Sequence, residues 1–595
     1  MKAKFLMFVS VFVCALVSVS HAQSGDPKWK VDLGGKADWL TITSAGTVVT
    51  SAGSSLICID PAKQQKIWEI KATGVTKESF VELEGTPFAI FDGVSKGLKS
   101  QTAIIDFLTG RMIYNNVEAD VVIRQKTPLV DIGVILLEIK QEKKVYLSLI
   151  DIASGKERWR FELPDKKTGF GLGALKEGIA SALTASSVSD KDGNILYPDQ
   201  KILKRLDAQT GKVLWTVENE KSVGKLNFSE DGNTVYVGAG KKISALSLAD
   251  GKDLWKDPVK INGEFQMFIP TADNKMYVVT SYEINQIEQS TGKATWKKPV
   301  TFSNTFKSLK FTTEGILVYG GDEKASMFDY IGFDGTQLWK RPYTTEPIFN
   351  FRLTSKGIFF ATASEGNMID LKTGDDTIWK KRIKLKGSPV TYLDDKIALV
   401  YSDGKLYRIN METLNYEMIN EEIKFKGSEE DVKRIEVVST GYLLSSSQNM
   451  WLVGADGKTV YSVYYKPASL GTAAKILGTM GQVYATATNL EAEQDPNNPG
   501  TTTIKRSERG DEITSGIGDV IKNRKSTFST QDAQFIMTRV EDADSKRVGM
   551  IKVDKASGKE AGKIVLKDME PVYEIDYVTG QLYVLNGSDM LSFSL

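Results

Sequence analysis

The sequence of 595 residues holds one histidine, His21, and two cysteines, Cys14 and Cys58. Two of these three residues fall in an amino-terminal segment with its own signature. Lys2 and Lys4 precede an apolar run from Phe5 to Val19, broken only by Ser10 and Ser18. Ser20-His21-Ala22 then sets small residues at the two positions a signal peptidase reads. That layout is a secretory signal peptide over residues 1–22. About fifteen apolar residues fall short of the roughly 20 that span a bilayer. Lipoprotein signals carry a small residue before the lipidated cysteine, whereas Val13 precedes Cys14. Cleavage removes His21 and Cys14, so the exported chain has no histidine and keeps Cys58 alone. Histidine general-base chemistry and histidine metal ligation are thereby excluded. A thiolate zinc cluster and an intramolecular disulfide are excluded as well.

Charge of one sign is missing too. The chain has 76 Lys+Arg against 75 Asp+Glu, and losing Lys2 and Lys4 turns the net charge from +1 to −1. Nothing here would drive nucleic-acid binding by bulk charge, and there is no acidic tail. After the signal no apolar run is long enough for a transmembrane helix. Apolar spacing at i, i+3, i+4 is not sustained over ten residues anywhere, which predicts almost no helix. With 41% apolar and 25% charged residues the composition is globular.

A repeated phrase fills the remaining chain. An apolar strand ends at an Asp or polar residue, a Gly turn follows, and an aromatic stands four residues after the Gly. Asp151-Ile-Ala-Ser-Gly155-Lys-Glu-Arg-Trp159 is one copy, and Asp207-Ala-Gln-Thr-Gly211-Lys-Val-Leu-Trp215 is another. Trp255, Trp296 and Trp339 close further copies. The copy ending at Trp68 lacks the Gly, the one ending at Tyr114 replaces Trp, and the one ending at Trp379 has an extra residue. Later copies fade: Asn410 to Met418 ends in Met, Gly457 to Tyr461 in Tyr, and those at Gly510 and Gly558 have no aromatic. A spacing of about 40 to 55 residues suits a four-stranded propeller blade and is too long for a leucine-rich repeat. Short runs such as Thr234-Val-Tyr-Val-Gly238 and Gln581-Leu-Tyr-Val-Leu585 read as strands.

Each residue of the phrase has a physical task. A carboxylate at the Asp position can accept backbone N–H groups of the turn. Gly supplies a positive φ without a Cβ clash. The indole packs between neighbouring blades and seeks a carbonyl for its N–H. Burying it stabilises by about 2–3 kcal/mol, and Trp→Ala would cost roughly 3–5 kcal/mol.

The pattern resembles the tryptophan-docking motif of the quinoprotein-type (PQQ-like) β-propellers over nearly the whole chain. The resemblance implies a structural, blade-locking role for Trp68, Tyr114, Trp159, Trp215, Trp255, Trp296, Trp339 and Trp379. Twelve phrases, together with a half-unit from Tyr573 to Leu595 that Trp29-Lys-Val-Asp-Leu33 would complete, predict about 13 blades. Propeller rings usually hold four to eight blades. The expectation is therefore an all-β chain of tandem β-propellers, in two rings of six to eight blades. Residues 23–339 would form the first and 340–595 the second, with the last blade shared with the amino-terminal strand.

Quinoprotein dehydrogenases of this superfamily resemble single rings with a catalytic Asp and a Ca²⁺ held by Glu, Asn and Asp. The cysteine features that often accompany them are missing here, and no segment matches the catalytic Asp motif. Asp190, Asp192 and Asn194 resemble part of a Ca²⁺ loop, though Gly193 sits fourth rather than sixth and the closing Glu is absent. Asp-Gly-Asn is equally ordinary hairpin chemistry. Arg509-Gly510-Asp511 resembles an adhesion tripeptide, but Gly510 is the turn Gly of a repeat. Asn489 to Gly500 reads as a projecting loop, and Ser186 to Pro198 as a second insertion.

By resemblance the nearest functional family is BamB, a PQQ-like propeller of outer-membrane protein assembly that carries docking motifs without a quinone. That resemblance implies a non-catalytic, exported scaffold without cofactor or metal. It would bind protein partners in the bacterial cell envelope, whether periplasmic, attached to the outer membrane or secreted. The alternatives are a PQQ- and Ca²⁺-dependent dehydrogenase, or a binder of carbohydrate or surface polymer.

Overall fold

A computed structural model describes residues 26–594, except 95–99, 164–185, 381, 387–388, 428–430, 468–489, 495–501, 507–527, 543–544 and 567–570. The expected signal peptide, residues 1–22, and Arg509-Gly510-Asp511 lie outside the described residues.

The described chain is all β. Its one helical element is a 3₁₀ turn at Val130–Ile132. Antiparallel four-stranded meanders follow one another. Residues 37–71, 80–115, 122–163, 188–218, 223–260, 265–301, 306–345, 348–384, 390–420, 434–464 and 528–566 form blades 1 to 11. Blade 12 takes three strands from residues 572–594 and its fourth from Trp29–Asp32. Twelve blades stand close to the thirteen expected. The surplus phrase, Gly510 to Thr514, lies outside the described residues, and the strands near it join the sheet of blade 7.

Burial within a blade follows strand position. Gly357–Thr362, a second strand, is buried at every residue. Blades pack on both of its faces, so both faces must be apolar. The outer strand Gln65–Lys71 buries only Trp68 fully. First strands of neighbouring blades approach one another, as Ala37–Ile42 does Val572–Asp576 and Val223–Phe228 does Phe265–Pro270. They therefore line the axis.

Twelve apolar clusters glue the twelve blades, one per joint. Val279, Trp296, Phe306 and Val318 bind blade 6 to blade 7. Leu317, Trp339, Ile358 and Phe360 bind blade 7 to blade 8. Trp29, Val31, Leu40, Ile57 and Tyr583 bind blade 12 to blade 1. There the chain ends interlock: Trp29 pairs with Ser592 and Val31 with Met590. Lys28 N donates to Ser592 O at 2.7 Å and Leu33 N to Ser588 O at 2.7 Å. Closing the sheet this way removes two exposed edges.

The clusters trace one circuit of twelve blades, where the usual ring size leads one to expect two rings. The joint at the expected border, 339/340, is packed like its neighbours. Aromatic pairs add to the packing at three of the joints. Phe268 meets Tyr236 of the preceding blade at 4.5 Å between ring centroids, Phe311 meets Tyr277 at 5.6 Å, and Phe351 meets Tyr319 at 4.7 Å. An eight-bladed ring turns about 45° per blade, a twelve-bladed one about 30°. The docking phrase lies at the outer end of each joint and carries no information about that angle.

Candidate functional site

The outer end of each joint shows what the repeated phrase does. Asp207 Oδ1 accepts the N–H groups of Gln209 and Thr210 at 3.0 and 2.7 Å, and Gly211 N donates to Asp207 O at 2.8 Å. The turn carbonyl after the Asp then faces the preceding blade. Trp159 Nε1 donates to Ala208 O at 3.1 Å. Trp68 reaches Phe107 O at 2.9 Å, Trp215 Leu248 O at 2.8 Å, and Trp255 Gln289 O at 2.9 Å. Trp296 reaches Phe333 O at 3.0 Å and Trp339 Leu371 O at 2.7 Å. Tyr461 does the same with its hydroxyl, donating to Lys555 O at 2.7 Å. The indole also needs the Gly. At Gly110, φ +74°, a Cβ would stand 2.5 Å from Trp68 Cγ. Tyr114 packs in the joint of blades 2 and 3, where burial pushes its phenol up to about 12.

Trp379 departs from this scheme. Its Nε1 is buried with no hydrogen-bond partner among the described residues. The facing turn has Leu414, φ +55°, where the turns that face Trp68, Trp159, Trp215, Trp255, Trp296 and Trp339 have Gly. A Cβ at that place occupies the space an indole would cover, and Trp379 instead meets Tyr416 edge-on at 6.2 Å. Leu414 is legible in the sequence as the missing Gly of the phrase that ends at Met418.

Asp190, Asp192 and Asn194 are brought together in a hairpin turn between Val188–Ser189 and Ile195–Asp199. The segment read as an insertion thus supplies two strands of blade 4. Pro198 disguises the second strand, yet it sits buried opposite Leu203. The hairpin is closed by an arginine. Arg205 Nε donates to Asp190 Oδ2 at 2.7 Å and Nη2 to Asp192 Oδ2 at 2.7 Å, with Arg205 and Asp190 both buried. Asp190 Oδ1 accepts Asp192 N and Asn194 N at 2.9 and 3.0 Å. Lys191 and Arg205 hold the Asp192 carboxyl below the usual range. A guanidinium supplies the positive charge these carboxylates face. No group of three or more His, Cys, Asp or Glu side chains suited to a metal occurs among the described residues.

Two buried titratable groups stand out. Cys58 lies in the joint of blades 1 and 2, and burial pushes its thiol up to about 11. Such a thiol is inert rather than nucleophilic. Asp329, on the third strand of blade 7, is fully buried, and burial raises its carboxyl to about 7. Its Oδ1 accepts Tyr330 N at 2.9 Å and its Oδ2 accepts Gln337 Nε2 at 2.9 Å. Asn285 and Asn367 hold the corresponding bond in blades 6 and 8, at 2.9 and 2.8 Å. Asp329 therefore plays an amide's structural part.

Among the described residues, the inner edge of blade 7 differs from the other inner edges. Its first strand, Phe306–Phe311, pairs on its axial side with Thr502–Arg506, and that strand pairs with Leu490–Gln494. The sheet of blade 7 thus has six strands. Leu490–Gln494 falls in the segment expected to be a projecting loop. Its five residues Leu-Glu-Ala-Glu-Gln alternate apolar and polar positions, a strand signal hidden by the Asp-Pro-Asn-Asn-Pro-Gly that follows.

Among known proteins, the family model described as outer membrane protein assembly factor BamB matches residues 15–175 and 198–415. No curated protein matches the chain. BamB from Moraxella catarrhalis, a solved structure, is 14% identical over 56% of this chain and 93% of that one, with a TM-score of 0.28. Dihydro-heme d1 dehydrogenase NirN is 14% identical over 57% of this chain and 74% of that one, TM-score 0.27. Hsv2 of Kluyveromyces lactis is 13% identical over 50% and 95%, TM-score 0.27. The family model spans well over half of the sequence, and so this β-propeller belongs to the family of outer membrane protein assembly factor BamB.

Proposed function

We propose that this protein is a non-catalytic, exported β-propeller scaffold that mediates protein–protein interaction in the cell envelope. The observation that carries this reading is family membership, since the family is described by a role in outer-membrane protein assembly. The charge pattern and apolar run of residues 1–22 support export. The fold agrees with the role. Rigid blades hold many loops on two rims, a layout that suits partner binding. The carboxylates of Asp207, Asp190, Asp192 and Asp329 are engaged in a turn, ion pairs and an amide-like core bond, which are structural duties.

The experiment is recovery of a tagged chain from its native envelope after mild crosslinking. The expected result is a stoichiometric complex with outer-membrane proteins or their assembly machinery. Reduction of an artificial electron acceptor by the purified chain, given pyrroloquinoline quinone, Ca²⁺ and an alcohol or sugar, would overturn the reading in favour of an oxidoreductase.

A further inference from the structure

The outer wall of the ring changes character at blade 5. In blades 1, 3 and 4 the docking Trp lies inside a fourth strand of six or seven residues, Gln65–Lys71, Glu157–Leu163 and Val213–Glu218. In blades 5 to 8 that strand shrinks to Val259–Lys260, Val300–Thr301, Tyr343–Thr345 and Ile383–Lys384, each starting four residues after its Trp. Pro258, Pro299 and Pro342 explain the shortening in blades 5 to 7. A proline has no N–H for the ladder, so the residues between each Trp and its short strand leave the sheet as an exposed bend.

These bends are basic. The residue directly after the Trp is Lys256, Lys297, Lys340 or Lys380 in the four blades, against Glu69, Arg160 and Thr216 in blades 1, 3 and 4. Lys298 and Arg341 add a second cation in blades 6 and 7. All of these cations on blades 5 to 8 are exposed, and none stands in an ion pair. Blades 6 and 7 concentrate the charge, because residues 293–299 and 336–342 hold five cations and no acid. Asp257 beside Lys256, and Asp375 and Asp376 ahead of Trp379, dilute it on the flanking blades. Leu254 and Leu338, exposed at 48% and 39%, precede their Trp by one residue and add apolar area among the cations.

The bends are regularly placed. Trp255, Trp296 and Trp339 each bond to a turn of the next blade, which sets them at one level. Twelve sheets roughly 10 Å apart make a mid-blade circle of about 120 Å, and outer strands lie about 7 Å outside it. Neighbouring bends therefore stand about 14 Å apart along the wall. A flat surface laid against blades 6 and 7 leaves the bends of blades 5 and 8 set back by about 7 Å. That is within the Debye length of about 8 Å at physiological ionic strength, so all four bends feel a charged surface. A convex wall with a broken strand edge suits a broad, flat partner better than an inserted peptide.

We propose that the outer wall of blades 5 to 8 docks the ring edge-on to an anionic phospholipid bilayer. The cations meet headgroup phosphates, and Leu254 and Leu338 meet the boundary between headgroups and acyl chains. Each Lys or Arg held near such a surface strengthens binding roughly fivefold, an effect that falls off within a Debye length. This goes beyond the protein-binding reading and is compatible with it, since a ring held edge-on keeps both rims open to partners.

The test is cosedimentation of the purified full-length chain with vesicles, so it does not depend on recovering envelope proteins. The chain should bind vesicles of equal parts phosphatidylcholine and phosphatidylglycerol, should not bind pure phosphatidylcholine, and should be released by high salt. K297E/K298E/K340E/R341E should weaken binding at least tenfold. K71E/K143E/K201E/K559E reverses four other exposed, unpaired lysines and should change binding less than threefold. L254S/L338S should bind more weakly than the wild type, and thermal unfolding should show all three variants folded. No binding to the mixed vesicles, equal losses in the two charge variants, or unchanged binding by L254S/L338S would overturn the bilayer contact. Tighter binding to soluble polyglutamate than to the vesicles would also overturn it, in favour of an acidic protein. None of these results bears on the crosslinking experiment, which tests the scaffold reading separately.

Discussion

Asp329 shows how one residue can be misplaced in charge yet right in shape. An acid with a pKa raised by burial favours the folded state in its protonated form. Its contribution is complete below the ordinary value of 3.8 and is lost as pH rises through about 7. Three pK units correspond to a loss on the order of 4 kcal/mol across that window. Asn285 and Asn367 fill the same place in blades 6 and 8 without titrating. Asp329→Asn should therefore match the wild type near pH 4 and become progressively more stable than it toward pH 8. Gln337 can turn its amide to accept from the new Nδ2. Denaturant unfolding at several pH values measures this, and parallel wild-type and variant profiles would contradict it. Nothing in the local sequence distinguishes Asp329 from a surface acid, because Phe328-Asp329-Tyr330 reads as an ordinary alternating strand. Its burial depends on blade 6 covering the face of the strand that Asp329 shares with Met327 and Ile331, a tertiary fact.

The strand-turn-strand element is where sequence and structure agree most closely. Asp207, Gly211 and Trp215 do locally what their chemistry suggests, because turn geometry is set by residues four apart. Where the facing turn has lost its Gly at Leu414, the docking bond is lost as well. Trp339 finds Leu371 O at 2.7 Å across a Gly turn, whereas Trp379 faces Leu414 and finds no acceptor. Trp→Phe separates the two. W339F leaves the Leu371 carbonyl short of a donor and should cost about 1–3 kcal/mol. W379F removes an unsatisfied buried N–H and should cost less than 1 kcal/mol or stabilise. Thermal or denaturant unfolding of the pair checks this, and equal losses would contradict it. The hairpin at 490–494 and 502–506 was harder to read, since its partner strand lies nearly 200 residues away. Likewise, the hairpin around Asp190 reads as a loop until Arg205 is seen to close it.

At the scale of the whole molecule, the repeat period gives the blade and the blade gives the fold class. It does not give the ring. Blade number per ring depends on the angle at each joint, which the turn chemistry of the repeated phrase does not specify. Closure by Trp29–Asp32 against the last strand then joins blade 12 to blade 1 and completes the circuit. A wide opening follows, and with it an axial edge that an extra ribbon can reach. The scarcity of histidine and cysteine takes on meaning here as well. The one cysteine after residue 22 is an inert core thiol. The account depends on one closed ring, and end-on class averages of the isolated chain by electron microscopy test it most directly. The predicted result is a single ring with twelve radial spokes around an open centre; two separate rings of six to eight spokes, or an open arc, would contradict it.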